Sequence, residues 1–143
     1  MKKIFFYAVG NPKGQPRVRA TKRGGHVGVY DPGTAKEWKL IIKNAAKAQM
    51  DGVPFSGPTR VSWTAFFQRP KSHFKANGKL KPEAPEWHTT KPDRDNLDTA
   101  ILDTLVDCGV LEDDKQVCCG QLAKRYAPIG EQAGISVDVV CIQ

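Results

Sequence analysis

Acidic side chains are concentrated at two points of this 143-residue sequence, and their spacing could create a metal site. Asp93 and Asp95 are two residues apart, so both carboxylates would project to the same side of an extended chain. A second group, Glu112, Asp113 and Asp114, follows further along. If Asp114 met Asp93 and Asp95, three carboxylates would converge, and each charge would raise the pKa values of the others. A divalent cation relieves that cost.

Such a site predicts metal-dependent phosphodiester chemistry. Mg²⁺ prefers oxygen ligands, keeps several waters, and is commonly held by a few carboxylates together with substrate phosphate. A metal held in this way can activate a water and stabilise the leaving 3′ oxygen. The alternative is structural: Asp95 would cap a helix, with Asp98 loosely completing the capping box, and the other acids would line a solvated helix face. The residue types alone leave both interpretations open.

The charge of the chain is divided between one acidic segment and a basic body. The formal net charge is +7, but segment 93–114 holds eight acids against one base, Arg94, a balance of −7. The other 121 residues hold 21 bases and seven acids, a balance of +14. A basic body favours a polyanionic partner such as nucleic acid.

Apolar periodicity predicts the elements that would position these groups. We expect strands over 3–9, 27–30, 59–67, 116–126 and 135–142, and loops over 10–28 and 69–91. One helix is expected from an N-cap at Thr34, with Glu37 as its capping-box partner, to about Gln49, and a second over 96–106. Gly130 and Gly134 bracket the turn between the last two strands and predict an antiparallel pair. The main order, strand–helix–strand–helix–strand–strand, indicates an α/β or α+β fold. We expect one domain over residues 1–143, a mixed sheet of about four strands packed with two main helices.

Several classes of protein are excluded or disfavoured. The apolar run at 4–9 is too short to span a bilayer, and no signal-peptide cleavage pattern follows it, so we expect a cytoplasmic protein without a membrane partner. The four cysteines have no C-x-x-C spacing and no paired histidines at zinc-finger spacing. We expect them to be reduced thiols, mostly buried.

The acidic segments resemble the signature of RusA-type Holliday junction resolvases, small endonucleases common in prophages. The resemblance rests on Lys91-Pro-Asp-Arg-Asp-Asn-Leu, then Leu102-Asp103-x-Leu105, Gly109, and Asp113-Asp114-x-Gln116-Val117. Gly10-x-Pro12 followed by Pro16-Arg17-x-Arg19 is similar to the basic N-terminal loop of that family. The resemblance covers most of the chain.

This resemblance implies a homodimeric enzyme that depends on Mg²⁺, with Mn²⁺ able to substitute, and resolves four-way junction DNA by paired nicks in recombination and repair. By position, the catalytic carboxylates would be Asp93, Asp95 and Asp114. These three would bind the metal, with Asp113 assisting or only shaping the turn, while Asp103 has a weaker claim to a direct role.

Basic residues outside the acidic segment are expected to contact DNA phosphates, the alternative being solvated surface loops. The candidates are Lys13, Arg17, Arg19, Lys22, Arg23, Lys71, Lys75, Lys91 and Lys115. His88 could contact phosphate or metal, or be a bystander.

One position departs from the family pattern. The best-known members carry a lysine four residues after the second Asp of the D-x-D-N motif, and here that position is Thr99. A threonine cannot supply positive charge to a phosphate; Lys91, Lys115 or Arg94 could take over. Two alternatives to a junction resolvase therefore remain, a junction-binding protein with weakened catalysis and a nuclease of other branched DNA.

Overall fold

The computed structural model describes residues 2–15, 19–23, 26–30 and 35–142. Their strands are β1 (Lys3–Val9), β2 (Arg19–Arg23), β3 (His26–Tyr30), β4 (Thr59–Phe67), β5 (Val117–Cys119), β6 (Leu122–Tyr126) and β7 (Gly134–Cys141). The α-helices are α1 (Lys36–Lys47) and α2 (Arg94–Asp107), and single 3₁₀ turns cover Lys71–His73 and Asp114–Gln116.

The main sheet is mixed and has five strands. Strand β7 lies between β1 and β4 and is antiparallel to both. On its other side, β4 pairs in parallel with β5 and β6. The α+β class with two helices is therefore confirmed, with five strands rather than about four in this sheet. The predicted antiparallel pairing of the last two strands is wrong, because β4 separates β6 from β7.

Strand β4 is central because its alternate residues are apolar and buried. Val61, Trp63, Ala65 and Phe67 all face the core, the pattern of a strand with one face packed against helices. Helix α1 packs Trp38, Ile42 and Ala46, and helix α2 packs Leu97, Ile101 and Leu105, into the same core. The helices thus cover one face of the sheet, and α2 is fixed to that face by its buried apolar side.

Three element boundaries differ from the sequence prediction. Segment 10–28, predicted as a loop, contains β2 and the first part of β3, which pair antiparallel as a separate two-stranded sheet. The predicted strand 116–126 is divided between β5 and β6 at Gly120, where a Cβ atom would collide with the carbonyl of Val61. Helix α2 begins at Arg94 rather than Asn96.

The predicted loop 69–91 has little regular structure but is anchored to the sheet by aromatic and cationic side chains. The His88 ring stacks on Phe67, with centroids 3.7 Å apart, and meets Tyr126 edge-on. His73 also meets Tyr126 edge-on, and the Arg69 guanidinium lies 5.3 Å from the same ring. The end of this loop, which leads into the acidic segment, is therefore held in a defined place.

The prediction for the cysteines is confirmed in part. The four cysteines are free, but Cys118 and Cys119 are exposed, contrary to the expectation that most would be buried. Within the described residues, no helix has the length and apolar character that crossing a membrane requires.

Candidate active site around helix α2

The acidic motif lies at the start of helix α2. Asp93 occupies the N-cap position, is exposed, and makes no side-chain capping hydrogen bond. Asp95 is exposed in the first helical turn. The extended chain that was expected to place both carboxylates on one side therefore ends at Asp93, and Asp95 is already helical. Asp98 does not complete a capping box; its carboxylate accepts a hydrogen bond from Trp63 Nε1 at 2.9 Å. The capping interpretation is therefore wrong, and both carboxylates of the motif face solvent.

A basic loop contacts the same end of α2. The backbone N–H of Gln15 donates to the carbonyl of Asn96 at 3.0 Å. A Cβ atom at Gly14 would approach Asn96 and Pro92 to about 3 Å, so the two segments are closely packed there. Lys13 is exposed in this loop, and β2 begins four residues after Gln15. The structure thus brings the described part of this loop, including Lys13, to the acidic motif.

One lysine of strand β6 contacts the segment that leads into the motif. Lys124 is on β6, and its ammonium donates to the carbonyl of Thr90 at 2.7 Å. Partial burial lowers the pKa of Lys124, and the negative charge of Asp93 acts in the opposite direction. A lysine that was not among the candidates from the sequence therefore lies within electrostatic range of Asp93.

His88 is part of the packing between the loop and the sheet. Its side chain is only 8% exposed, and its Nε2 lies 3.2 Å from the hydroxyl oxygen of Thr90. Burial, followed by the charge of Lys124, lowers the pKa of His88. A neutral buried ring stacked on Phe67 supports the bystander interpretation over a phosphate contact.

The second acidic group is held by a 3₁₀ turn after α2. Gly109, at φ 81°, ends the helix, and Asp113 caps the turn through a hydrogen bond from the Lys115 backbone N–H at 2.9 Å. Gln116 completes the capping box, with its side-chain oxygen accepting from the backbone N–H of Asp113. Asp113 therefore shapes the turn.

Gln116 also fixes this turn to the sheet. Its amide nitrogen donates to the carbonyls of Phe55 and Gly57 and lies 3.1 Å from the hydroxyl of Thr59, the first residue of β4. This one side chain therefore links the acidic turn to the central strand and determines where Asp114 lies.

Asp114 lies beside the second half of helix α2. A hydrogen bond with the Asp113 side chain raises the pKa of Asp114, and repulsion from Asp113 and Asp103 acts in the same direction. The backbone N–H of Lys115 instead lowers the pKa of Asp113. A cleft of about 280 Å³ is lined here by Lys39, Asp103, Val106, Asp107, Asp113 and Asp114. Asp103 therefore lies close enough to Asp114 to raise its pKa, although the sequence alone supports only a weak claim of Asp103 to a direct role.

The predicted convergence of Asp93, Asp95 and Asp114 is not assembled in this structure. Among the described residues, no three His, Cys, Asp or Glu side chains are grouped so that they could hold a metal ion. Asp95 and Asp103 are eight residues apart on α2, about 12 Å along a helix that rises ~1.5 Å per residue. The carboxylates therefore form two groups, one at the start of α2 and one beside its second half.

Each acidic group has a donor set that fits Mg²⁺. All the side-chain donors are carboxylate oxygens, and Mg²⁺ in phosphoryl-transfer sites is commonly held by only one or two carboxylates together with substrate phosphate and water. The pKa of Asp114 is raised mainly by its hydrogen bond with the Asp113 side chain and by desolvation, with repulsion from Asp113 and Asp103 adding to these. A cation would offset that repulsion.

The predicted DNA-binding residues are distributed over several surfaces. Lys13, Lys71, Lys75, Lys91 and Lys115 are exposed. Arg19, Lys22 and Arg23 lie on β2, whose backbone is described. Arg17 lies outside the described residues. Lys13 and Lys91 flank the start of α2, and Lys115 follows Asp114 directly.

The sequence does not predict that Lys124, Lys39 and Asp107 lie at the site. Lys124 is on a strand that follows the motif by about 30 residues, and no local pattern indicates that β6 lies against segment 88–93. Asp103 and Asp107 carried a signal, because their four-residue spacing places both on one side of a helix.

Comparisons with known proteins identify the family. A family model described as "Endodeoxyribonuclease RusA" matches residues 10–139. The chain is also 31% identical over 128 residues to "Uncharacterized protein YqaN" of Bacillus subtilis (strain 168), an alignment that covers 87% of this chain and 88% of the relative. The matched region contains both acidic groups and the basic N-terminal segment.

Proposed function

This chain belongs to the endodeoxyribonuclease RusA family, and we propose that it is a Mg²⁺-dependent endonuclease that resolves four-way DNA junctions by paired nicks. The family match over residues 10–139 is the observation that carries the proposal. A junction substrate places the activity in DNA recombination and repair, and Mn²⁺ is expected to substitute for Mg²⁺.

The charge distribution supports a nucleic-acid substrate. The exposed Lys13 loop is hydrogen-bonded to the start of α2 through Gln15 and Asn96, so a phosphate held by this loop would lie near Asp93 and Asp95. Contacts of this kind position the DNA without reading its sequence. Cleavage is then directed to a backbone phosphate next to the carboxylates.

The proposed metal ligands are Asp93 and Asp95 in the group at the start of α2, and Asp114, assisted by Asp113, in the group beside its second half. Each group would hold a metal ion together with substrate phosphate and water. Mg²⁺ held by these carboxylates would supply Lewis-acid chemistry, activating a water and stabilising the leaving 3′ oxygen. The protein's own contribution is to fix the carboxylates, through helix α2 for one group and through Gln116 for the other.

A synthetic four-way junction tests the proposal directly. Wild-type protein with Mg²⁺ should produce symmetrical nicks in opposite strands, and Asp95→Asn should reduce the rate by at least ~100-fold, the scale expected for removing one charged catalytic group. No nicking by the wild type, or undiminished nicking by Asp95→Asn, would refute it. Flap and duplex substrates in the same assay separate a junction resolvase from a nuclease of other branched DNA.

A second candidate is a junction-binding protein with weakened catalysis, and the observation that favours it is at Thr99. The Thr99 hydroxyl donates to the carbonyl of Asp95 at 2.9 Å within its own helix, so this position offers no cation. The candidate predicts salt-sensitive junction binding without nicking by the wild type, and a gain of nicking in Thr99→Lys.

We also propose that the active form is a homodimer. A four-way junction has two-fold symmetry, and paired nicks require two active sites related by that symmetry. Sedimentation equilibrium at the concentrations used for cleavage should give about twice the 15.8 kDa chain mass, and a purely monomeric nicking species would contradict the proposal.

A further inference from the structure

Lys124 differs from the other cations around the acidic motif because its position is fixed by the fold. It lies in the middle of β6, opposite Ala65 of β4 in the parallel register. Ala65 is fully buried, so Lys124 extends from the face of the sheet that carries the helices. The carbonyl of Lys124 also accepts a hydrogen bond from the backbone N–H of His88 at 3.0 Å.

The ammonium of Lys124 is held by the segment that leads into the motif. It donates to the carbonyl of Thr90 at 2.7 Å, three residues before Asp93. Strand β6 and segment 88–90 are thus joined twice, once through backbone atoms and once through this ammonium. The position of Lys124 relative to Asp93 is therefore set before any substrate arrives.

The ammonium has capacity for another acceptor. A lysine ammonium carries three donors, and the Thr90 carbonyl uses one of them. In the described part of the chain, Lys124 forms no ion pair within 4 Å. Asp93 attracts it electrostatically without direct contact, so an anion held beside Asp93 would find both a cation and unassigned N–H donors.

The other bases close in sequence to the carboxylates lack this anchoring. Lys91, Arg94 and Lys115 are exposed, and no side-chain hydrogen bond fixes them among the described residues. An exposed lysine loses side-chain conformational freedom on binding a phosphate. Lys124 has lost much of that freedom in the folded protein, and such preorganisation is what makes electrostatic stabilisation effective.

We infer that Lys124 is a catalytic residue that binds the scissile phosphate beside Asp93 and stabilises the charge that develops on it during cleavage. The inference rests on the proposed endonuclease function and adds to it a residue outside both acidic groups. Strand β6 thereby contributes a catalytic residue as well as pairing with β4 in the sheet.

The test compares variants at Lys124 with wild type in single-turnover nicking of a four-way junction. Lys124→Met keeps the length of the side chain and removes the charge. We expect its rate at saturating junction to fall at least ~100-fold, with the junction Kd changed less than about threefold, because one phosphate contact among many contributes little to total affinity. Lys3→Met, at an exposed position of β1, is the matched control and should retain the wild-type rate.

Melting temperatures separate a catalytic from a structural role. Lys124→Gln and Lys124→Arg are measured with Lys124→Met, and a rate loss in folded protein with unchanged Kd supports the inference. A Lys124→Met rate within threefold of wild type overturns it while leaving the endonuclease proposal intact. Loss of folded protein in all three variants, in proportion to the loss of rate, makes Lys124 structural and also overturns it. If the wild type does not nick the junction, both the endonuclease proposal and the inference for Lys124 are refuted.

Discussion

At the scale of one residue, Asp114 is a proposed metal ligand whose own neighbours are acidic. It lies beside Asp113 and Asp103, and these neighbours raise its pKa. The same neighbours make the site unfavourable without a counter-charge. Both the motif position of Asp114 and its acidic neighbours therefore support its proposed role as a metal ligand.

Replacing Asp114 with Asn should abolish nicking without loss of folding. We expect the rate to fall at least ~100-fold, because a proposed metal ligand loses its charge, while junction binding stays within a few-fold of wild type. The matched control is Asp138→Asn, which is exposed on β7 between the buried Val137 and Val139 and so faces away from the helices. Equal loss in both variants, measured by single-turnover nicking, would contradict the assignment.

His88 leads to a prediction about stability and pH. Burial holds the pKa of His88 below its usual value, so the unfolded chain binds a proton more readily than the folded protein does. The stability that depends on the neutral ring is present above the unfolded pKa of about 6.5 and is lost as pH falls towards the lower folded pKa.

Melting curves at pH 7 and pH 5 test this sign. Wild type should lose more stability over that interval than His88→Phe, which cannot titrate and can still stack on Phe67. His73 and His26 are present in both proteins, so the difference isolates His88. An identical loss in the two proteins would show that this ring does not control the pH dependence.

At the scale of elements, the second acidic group depends on a single polar side chain. Gln116 accepts from the backbone N–H groups of Glu112 and Asp113 and donates to the carbonyls of Phe55 and Gly57. The 3₁₀ turn has only three residues, none of them buried, so these hydrogen bonds are what place Asp114 beside helix α2.

Substituting Gln116→Glu should destabilise the protein by about 2–3 kcal/mol. The substitution keeps the shape but replaces the donating amide with a carboxylate, and it leaves the carbonyls of Phe55 and Gly57 facing a negative charge. Urea unfolding provides the measurement, and Gln49→Glu, at an exposed position after α1, should change the free energy of unfolding by less than about 0.5 kcal/mol. A similar small effect at both positions would refute this role.

At the scale of the whole molecule, the division of charge predicts salt-sensitive DNA binding. The body outside segment 93–114 has a balance of +14, and each lysine that contacts a phosphate adds about 0.9 to the slope of log affinity against log salt. Lys13→Ala should therefore reduce that slope by about one, while Lys3→Ala should leave it unchanged. Junction-binding titrations between about 50 and 200 mM salt provide the slopes, and equal slopes for the two variants would remove Lys13 from the interface.

Much of the fold could be predicted from local sequence patterns. The sequence predicts strands 3–9 and 59–67 with the bounds that the structure has. The aromatic and β-branched residues of the first and the alternating apolar residues of the second are both local signals. The boundaries that failed depend on distant contacts: Gly120 interrupts a strand because the Val61 carbonyl lies against it. Strand pairing failed for the same reason, since short turns favour a hairpin but β7 pairs between β1 and β4.

The sequence by itself determined the acidic motif, the division of charge and the family, because these are properties of residue types in order. Only the tertiary structure decided that Lys124 lies beside Asp93 and that Asp103 accompanies Asp114. It also decided that Gln116 holds the second acidic turn against β4. Each of these depends on segments that are far apart in the chain and are brought together by packing around the sheet. No local sequence pattern predicts these contacts, because they form only once the core has packed.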